Sequence, residues 1–241
     1  MKLNILAASL LLTLPLIPNT SSAQTISPTE DVITSAFFQG TDLVRGYAGD
    51  NRPTLRVSSD NAFGFGPEQI YVQFSAVDIA PFTNPVSNAS LSLTSVTGNF
   101  GADASATSPF IVSAHAVNAN PFTSIIDDTN PQGTTAWDDF FANNIFTASP
   151  EALTVVDGFG VFDFDVTDIV NDWISGSNQE FVIALTGTND VQIGDGFLHG
   201  FSNNTEAPGS TFLTVSAVPE PSSAILLALP MAFMITRRHR S

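Results

Sequence analysis

The sequence predicts an all-β fold: an antiparallel β-sandwich with one short amphipathic helix near 166–175. Apolar and polar residues alternate in short runs, and clusters of Gly, Pro, Asn and Asp cut those runs roughly every 10 to 20 positions. Twenty phenylalanines supply the bulky filling that two packed sheets need. The alternation marks strands at Thr54–Ser58, Gln69–Ala76, Ala89–Val96, Phe110–Val117, Phe159–Val166, Glu180–Thr186 and Ser210–Ser216. A weaker alternation marks Val32–Phe38, Asp42–Arg45 and Val191–Gly194. In Ala89–Val96 one face carries Ala89, Leu91 and Leu93, and the other carries Ser90, Ser92 and Thr94. One stretch has a helical period instead. Val166, Ile169, Val170 and Trp173 form an i, i+3, i+4, i+7 stripe, with Asp165 or Thr167 placed to cap it and Gly176 to stop it. The segment Trp137–Phe146 fits either a brief helix or an irregular loop.

The two ends depart from this pattern. Lys2, the apolar run Leu3–Leu16 and the small residues Ser21-Ser22-Ala23 have the order of a secretory signal peptide over 1–23, with cleavage between Ala23 and Gln24. Such a segment passes through the Sec translocon. Pro15 and Pro18 speak against a cytosolic helix there. At the other end, Val218-Pro219-Glu220-Pro221 precedes an uncharged stretch, Ala224–Thr236, and then Arg237-Arg238-His239-Arg240. As a helix that stretch is about 20 Å long against a hydrocarbon core of roughly 30 Å, which suits a transient span. The basic cluster stays cytoplasmic by the positive-inside bias, placing everything before Val218 outside the cytoplasm. Pro219 and Pro221 fix φ and remove backbone donors, so Val218–Pro221 is expected to be extended, unpaired and open to a processing enzyme. The plainer reading is a tail anchor behind a proline linker.

Motif, apolar span and basic tail together resemble the PEP-CTERM sorting signal of Gram-negative bacteria that secrete exopolysaccharide, over 218–241. The resemblance implies recognition by an exosortase, an intramembrane transpeptidase-like enzyme that removes the tail. It also implies an inner-membrane intermediate, followed by release to the cell surface or extracellular matrix. The membrane is then touched only through the C-terminal segment before processing.

The region left between the ends, 24–217, holds three basic residues (Arg45, Arg52 and Arg56) against 22 acidic ones, a net charge of −19, and no lysine. Such a surface repels nucleic acid and anionic membranes and attracts cations. The chain has no cysteine, which removes thiol catalysis and cysteine-ligated metals, and the region is long enough to bury a core without disulfides.

A second resemblance covers most of that region. Thr54-Leu55-Arg56-Val57, Tyr71–Ser75 and Asn88–Leu93 follow the order of a DNRLRE-type domain. Phe164–Trp173 is similar to that family's Asp-Val-Thr-x-x-Val-x-x-Trp segment, and Phe201-Ser202, Glu206 and Pro208–Val215 are similar to its closing strand pair. Asn203 and Asn204 depart from the family pattern, as does Ser210 or Thr211 near its usual proline. The resemblance implies a sandwich of jelly-roll type and, as in some members, a carbohydrate-binding module.

Candidate sites follow from charge and aromatic content. Arg45, Arg52 and Arg56 can make forked contacts to the carboxylates of an acidic polysaccharide, or simply neutralise Asp42, Asp50 and Asp60. Asp163 and Asp165 share one strand face opposite Phe162 and Phe164, a pair that suits structural calcium or an ordinary solvated face. Sugar rings stack on exposed aromatic faces, and with Trp173 assigned to the core the platforms are Trp137 and then Tyr47. His115 and His199 are expected to be structural. No Gly-x-Ser-x-Gly, His-Glu-x-x-His or phosphate-loop motif occurs. The expectation is a secreted, non-catalytic surface or matrix protein that contacts polysaccharide. The alternatives are a structural or adhesive matrix protein without glycan recognition, and a polysaccharide lyase or hydrolase.

Overall fold

Period-two alternation places every second side chain on the same side of a strand, so two such sheets can bury their apolar faces against each other. The computed structural model has this arrangement. It describes residues 23–34, 43–44, 54–57, 69–97, 103–119, 145–188, 199–202, 204 and 207–218, all within one unit, Ser22–Val218. The elements are β1 (Ala23–Ile26), β2 (Glu30–Thr34), β3 (Leu43–Val44), β4 (Thr54–Val57), β5 (Gln69–Gln73), α1 (Ala76–Ile79), β6 (Val86–Val96) and β7 (Phe110–Ala116). They continue with β8 (Ala152–Val156), β9 (Gly160–Asp165), α2 (Thr167–Ser175), β10 (Val182–Thr188), β11 (His199–Ser202) and β12 (Thr211–Ala217).

The first sheet runs β1-β12-β6-β11-β4, with β9 on the other side of β6; the second runs β3-β2-β5-β10-β7-β8. Every pairing between these strands is antiparallel. From β4 to β7 and from β8 to β11, successive strands cross between the sheets, a wrapped connectivity of jelly-roll type.

Register explains the core. Leu91 of β6 lies between Leu213 and Phe164, and Ala89 lies opposite Val215. In the second sheet Val72 faces Ile183, and Ile70 faces Leu185. All of these side chains are buried in one inter-sheet core. The stripe Val166, Ile169, Val170 and Trp173 joins it from α2. Gly176 closes that helix in the left-handed region at φ 77°, where a side chain would be strained. A second, smaller cluster lies on the other face of the second sheet. Tyr71, Val117, Ile145, Val182 and Ala184 are buried there, with Phe146 against them.

Several expected boundaries shift for local reasons. The strand expected over Gln69–Ala76 stops at Gln73, because the Ser75 hydroxyl accepts the Val77 N–H and opens the helical turn α1. Strands β1 and β8 had no counterpart in the sequence pattern, and β11 had one only in the resemblance, at Phe201-Ser202. In β8 both faces are apolar, and Leu153 and Val155 stand 65% and 56% exposed, so no alternation marks it. The peptide between Ala23 and Gln24 lies inside β1, where Ala23 pairs with Ser216. Both ends of the unit therefore leave from neighbouring positions on one sheet edge. Among the described residues no helix is long and apolar enough to cross a membrane, and 224–236 lies outside them, as do Val191–Gly194 and most of Trp137–Phe146.

One charged residue sits on the core side. Asp31 is 3% exposed and pairs with Val72, so its carboxylate shares the inter-sheet face. Its Oδ2 accepts the Asn204 N–H at 2.7 Å, while Oδ1 is buried without a partner. Burial pushes this carboxyl up to about 6. With its folded-state value raised, the native state holds the proton more tightly than the unfolded chain. Its contribution to stability is therefore full below about pH 4 and is lost as pH rises towards about 6.

Two stability measurements follow. In urea unfolding, Phe164→Ala should cost about 3–5 kcal/mol, against less than about 0.5 kcal/mol for Val161→Ala on the outward face of the same strand. Equal costs would contradict the register. For Asp31→Asn, the stability difference from the parent should rise by about 3 kcal/mol between pH 4 and pH 7, then level off. A flat difference would contradict the buried, ionised carboxylate.

Candidate functional site

The start of α2 is sewn to the start of β6 by side chains. Thr167 donates its hydroxyl to Asp165 Oδ1 at 2.6 Å and accepts the Ala89 N–H at 2.9 Å. Asp165 Oδ1 also takes the Thr167 N–H at 3.1 Å, so this carboxylate orients the first turn of the helix. One turn on, Asn171 Oδ1 accepts the Val86 N–H at 2.8 Å. These bonds hold the backbone at Val86 and Ala89 and leave Ser87 and Asn88 between them with exposed side chains.

The result is an open cleft of about 280 Å³, lined by Ser87, Asn88, Glu151, Asp165, Thr167 and Asp168. Its walls are the start of β6, the residue before β8, the end of β9 and the first turn of α2. Three carboxylates, two hydroxyls and one amide make it rich in hydrogen-bond acceptors. Such a lining matches a ligand that presents several hydroxyl donors, and it repels an anionic one. The lining contains no aromatic ring, so binding there proceeds by hydrogen bonds without stacking. Its size is just below that of typical ligand sites, which run from about 300 to 1,000 Å³.

Of the residues singled out from the sequence, Asp165 lines this cleft. Asp163 points the same way from β9, but its Oδ1 is taken by the Ser92 hydroxyl at 2.5 Å. Among the described residues no three His, Cys, Asp or Glu side chains gather in a way that could hold a metal ion. Arg56 lies in β4 with its backbone paired to Gly200; its side chain lies outside the described part. Arg45, Tyr47, Arg52 and Trp137 lie outside the described residues, as do Pro219, Glu220 and Pro221 of the C-terminal motif. Val218 is half exposed directly after β12.

His115 is tied down twice. Its Nδ1–H donates to the Thr147 carbonyl at 2.7 Å, and Nε2 accepts the Thr186 hydroxyl at 3.0 Å, which fixes the neutral tautomer. Burial lowers its pKa, against opposing backbone hydrogen bonds from Thr147 and Ser149. Trp173 packs between Phe74 and Phe181, with ring centroids 6.0 and 5.8 Å away.

Sequence reasoning missed Ser87, Asn88, Glu151, Thr167 and Asp168 as a group. Thr167 and Asp168 belonged to a recognised helix start, but nothing in the spacing ties them to Glu151 or to Ser87-Asn88. The pairing of β6 with β9 brings Ser87-Asn88 to the start of α2, and the contact of β8 with β9, marked by the Thr154 hydroxyl donating to the Asp163 carbonyl at 2.9 Å, brings Glu151 to them. The chain matches no family model and no curated protein sequence.

Thr167→Ala should cost about 1–2 kcal/mol in urea unfolding, because it orphans the Ala89 N–H and removes the bond to Asp165. Thr167→Ser should recover most of that. Equal losses for the two variants would mean that the methyl group, not the hydroxyl, holds the junction.

Proposed function

We propose that the chain is an exported, non-catalytic protein of the cell surface or exopolysaccharide matrix, and that its sandwich makes weak contacts with polysaccharide at the cleft beside α2. The N-terminal signal pattern and the PEP-CTERM-like tail support the address, with the Sec translocon and an exosortase-type enzyme as processing partners. The observation that carries the contact is the all-polar lining of Ser87, Asn88, Glu151, Asp165, Thr167 and Asp168, held on strand ends and a helix start. Carboxylates accept sugar hydroxyls in charge-assisted hydrogen bonds, so neutral glycans suit this cleft better than uronic ones. The commitment of His115 and Asp165 to structural hydrogen bonds favours a binding role over catalysis.

Affinity electrophoresis of the full chain through gels containing a neutral glucan or a uronan tests this. The glucan should retard the protein, and Glu151→Gln or Asp168→Asn should each weaken retardation about fivefold. Retardation by neither polysaccharide would leave the structural matrix role standing instead. Stronger retardation by the uronan, lost in Arg52→Ala and Arg56→Ala, would move the site to the arginines.

A further inference from the structure

We propose that the outside of the β8–β9 hairpin is a docking surface for a partner protein that presents apolar side chains between basic ones. Among the described residues six large hydrophobic side chains stand exposed, and four of them lie on this hairpin: Leu153, Val155, Phe159 and Val161, each between 56% and 65% exposed. Single apolar side chains scattered over a surface are ordinary; four on one hairpin make a patch.

Their placement follows from the strands. Leu153 and Val155 pair with Ser113 and Ile111 of β7, on the side of the second sheet turned away from the inter-sheet core. Val161 lies opposite Thr94 of β6, while Phe164 on the other face of β9 is in that core. β8 pairs only with β7 and β9 only with β6, so each strand ends its sheet. Three residues, 157–159, join the two, and the Thr154 hydroxyl donates to the Asp163 carbonyl at 2.9 Å, which keeps the strands side by side. The hydroxyl of buried Ser95 donates to the Gly158 carbonyl at 3.0 Å, so the connection is fixed to β6 while Phe159 stays in solvent.

Charge selects the occupant. Glu151 and Asp157 flank Leu153 and Val155 at period-two spacing, Asp163 and Asp165 follow Val161 in the same way, and all four carboxylates are on exposed residues. The sequence has no lysine or arginine between Arg56 and Arg237. A second copy docked through a two-fold axis sets this acidic rim against itself, on regions that each carry −19. An anionic lipid surface is repelled for the same reason. A protein segment with basic side chains around apolar ones satisfies both parts: its apolar area leaves water against the hairpin, and its charges meet the rim. Phe159, the largest of the four side chains, is the anchor at the hairpin tip. The surface is separate from the cleft beside α2, whose lining includes Glu151 but none of the four apolar side chains.

Fluorescence anisotropy on the full chain decides it, with a labelled peptide of alternating valine and threonine that carries two lysines at each end. It should bind about tenfold more tightly than the same peptide ended by glutamates, and than a lysine-ended peptide with serine in place of valine. Added salt should narrow the first gap. Phe159→Ser should weaken binding about tenfold and leave the urea midpoint where it was, since the ring is exposed. Equal affinity for the lysine-valine peptide and either control, no binding of any peptide, or full binding by Phe159→Ser would overturn the proposal. A concentration-dependent dimer in ultracentrifugation that Phe159→Ser abolishes would also overturn it, giving the hairpin to a second copy. The peptide comparison on the parent decides alone if the variant does not fold.

Discussion

Everything described here hangs on strand β6. Its 11 residues pair with β12 and β11 along one side and with β9 along the other, and it takes the side-chain bonds that seat α2. Ala89, Leu91 and Leu93 are fully buried on its inner face, where they meet Val215, Leu213, Phe164 and Phe162 in register. A shift of one residue would turn those side chains outward and bring Ser90, Ser92 and Thr94 into the core. Ser92 also binds Asp163, so the outer face fixes the same register from the other side. The cleft exists because β6 and α2 are locked at Val86 and Ala89 but free between them.

The local problems of the fold were legible in the sequence where one face is apolar and the other polar. β6, β9 and β12 have that contrast, and their expected bounds lie within a few residues of those observed. The α2 stripe was equally plain, since no strand places Val166, Ile169, Val170 and Trp173 on one side. β8 failed because Ala-Leu-Thr-Val-Val is apolar on both faces, and β1 failed because three of its four side chains are exposed. The candidate site was less legible than the fold. Glu151 and Ser87 are 64 positions apart, and their meeting depends on how strands cross between sheets. A buried carboxylate such as Asp31 leaves no trace at all in an Asp-rich sequence.

Buried polar groups make their own connections: Asp31 joins β2 to Asn204 after β11, and His115 joins β7 to β10 and to the segment after Phe146. Phe181 adopts φ 52°, a strained value for a bulky residue, and its carbonyl accepts the Phe74 N–H while its ring packs on Trp173. The packing of that aromatic group offsets the strain. In the cleft, the side chains of Ser87, Asp165 and Thr167 are held by hydrogen bonds before any ligand arrives, which lowers the ordering cost of a weak contact.

The most direct measurement of the central claim is an NMR titration of the full chain with a neutral oligosaccharide, followed by amide shift changes along the sequence. A site at the cleft predicts saturable changes at Ser87, Asn88, Glu151, Thr167 and Asp168, with the rest of the sandwich still. Saturable changes confined to another surface, or none at millimolar sugar, would contradict it.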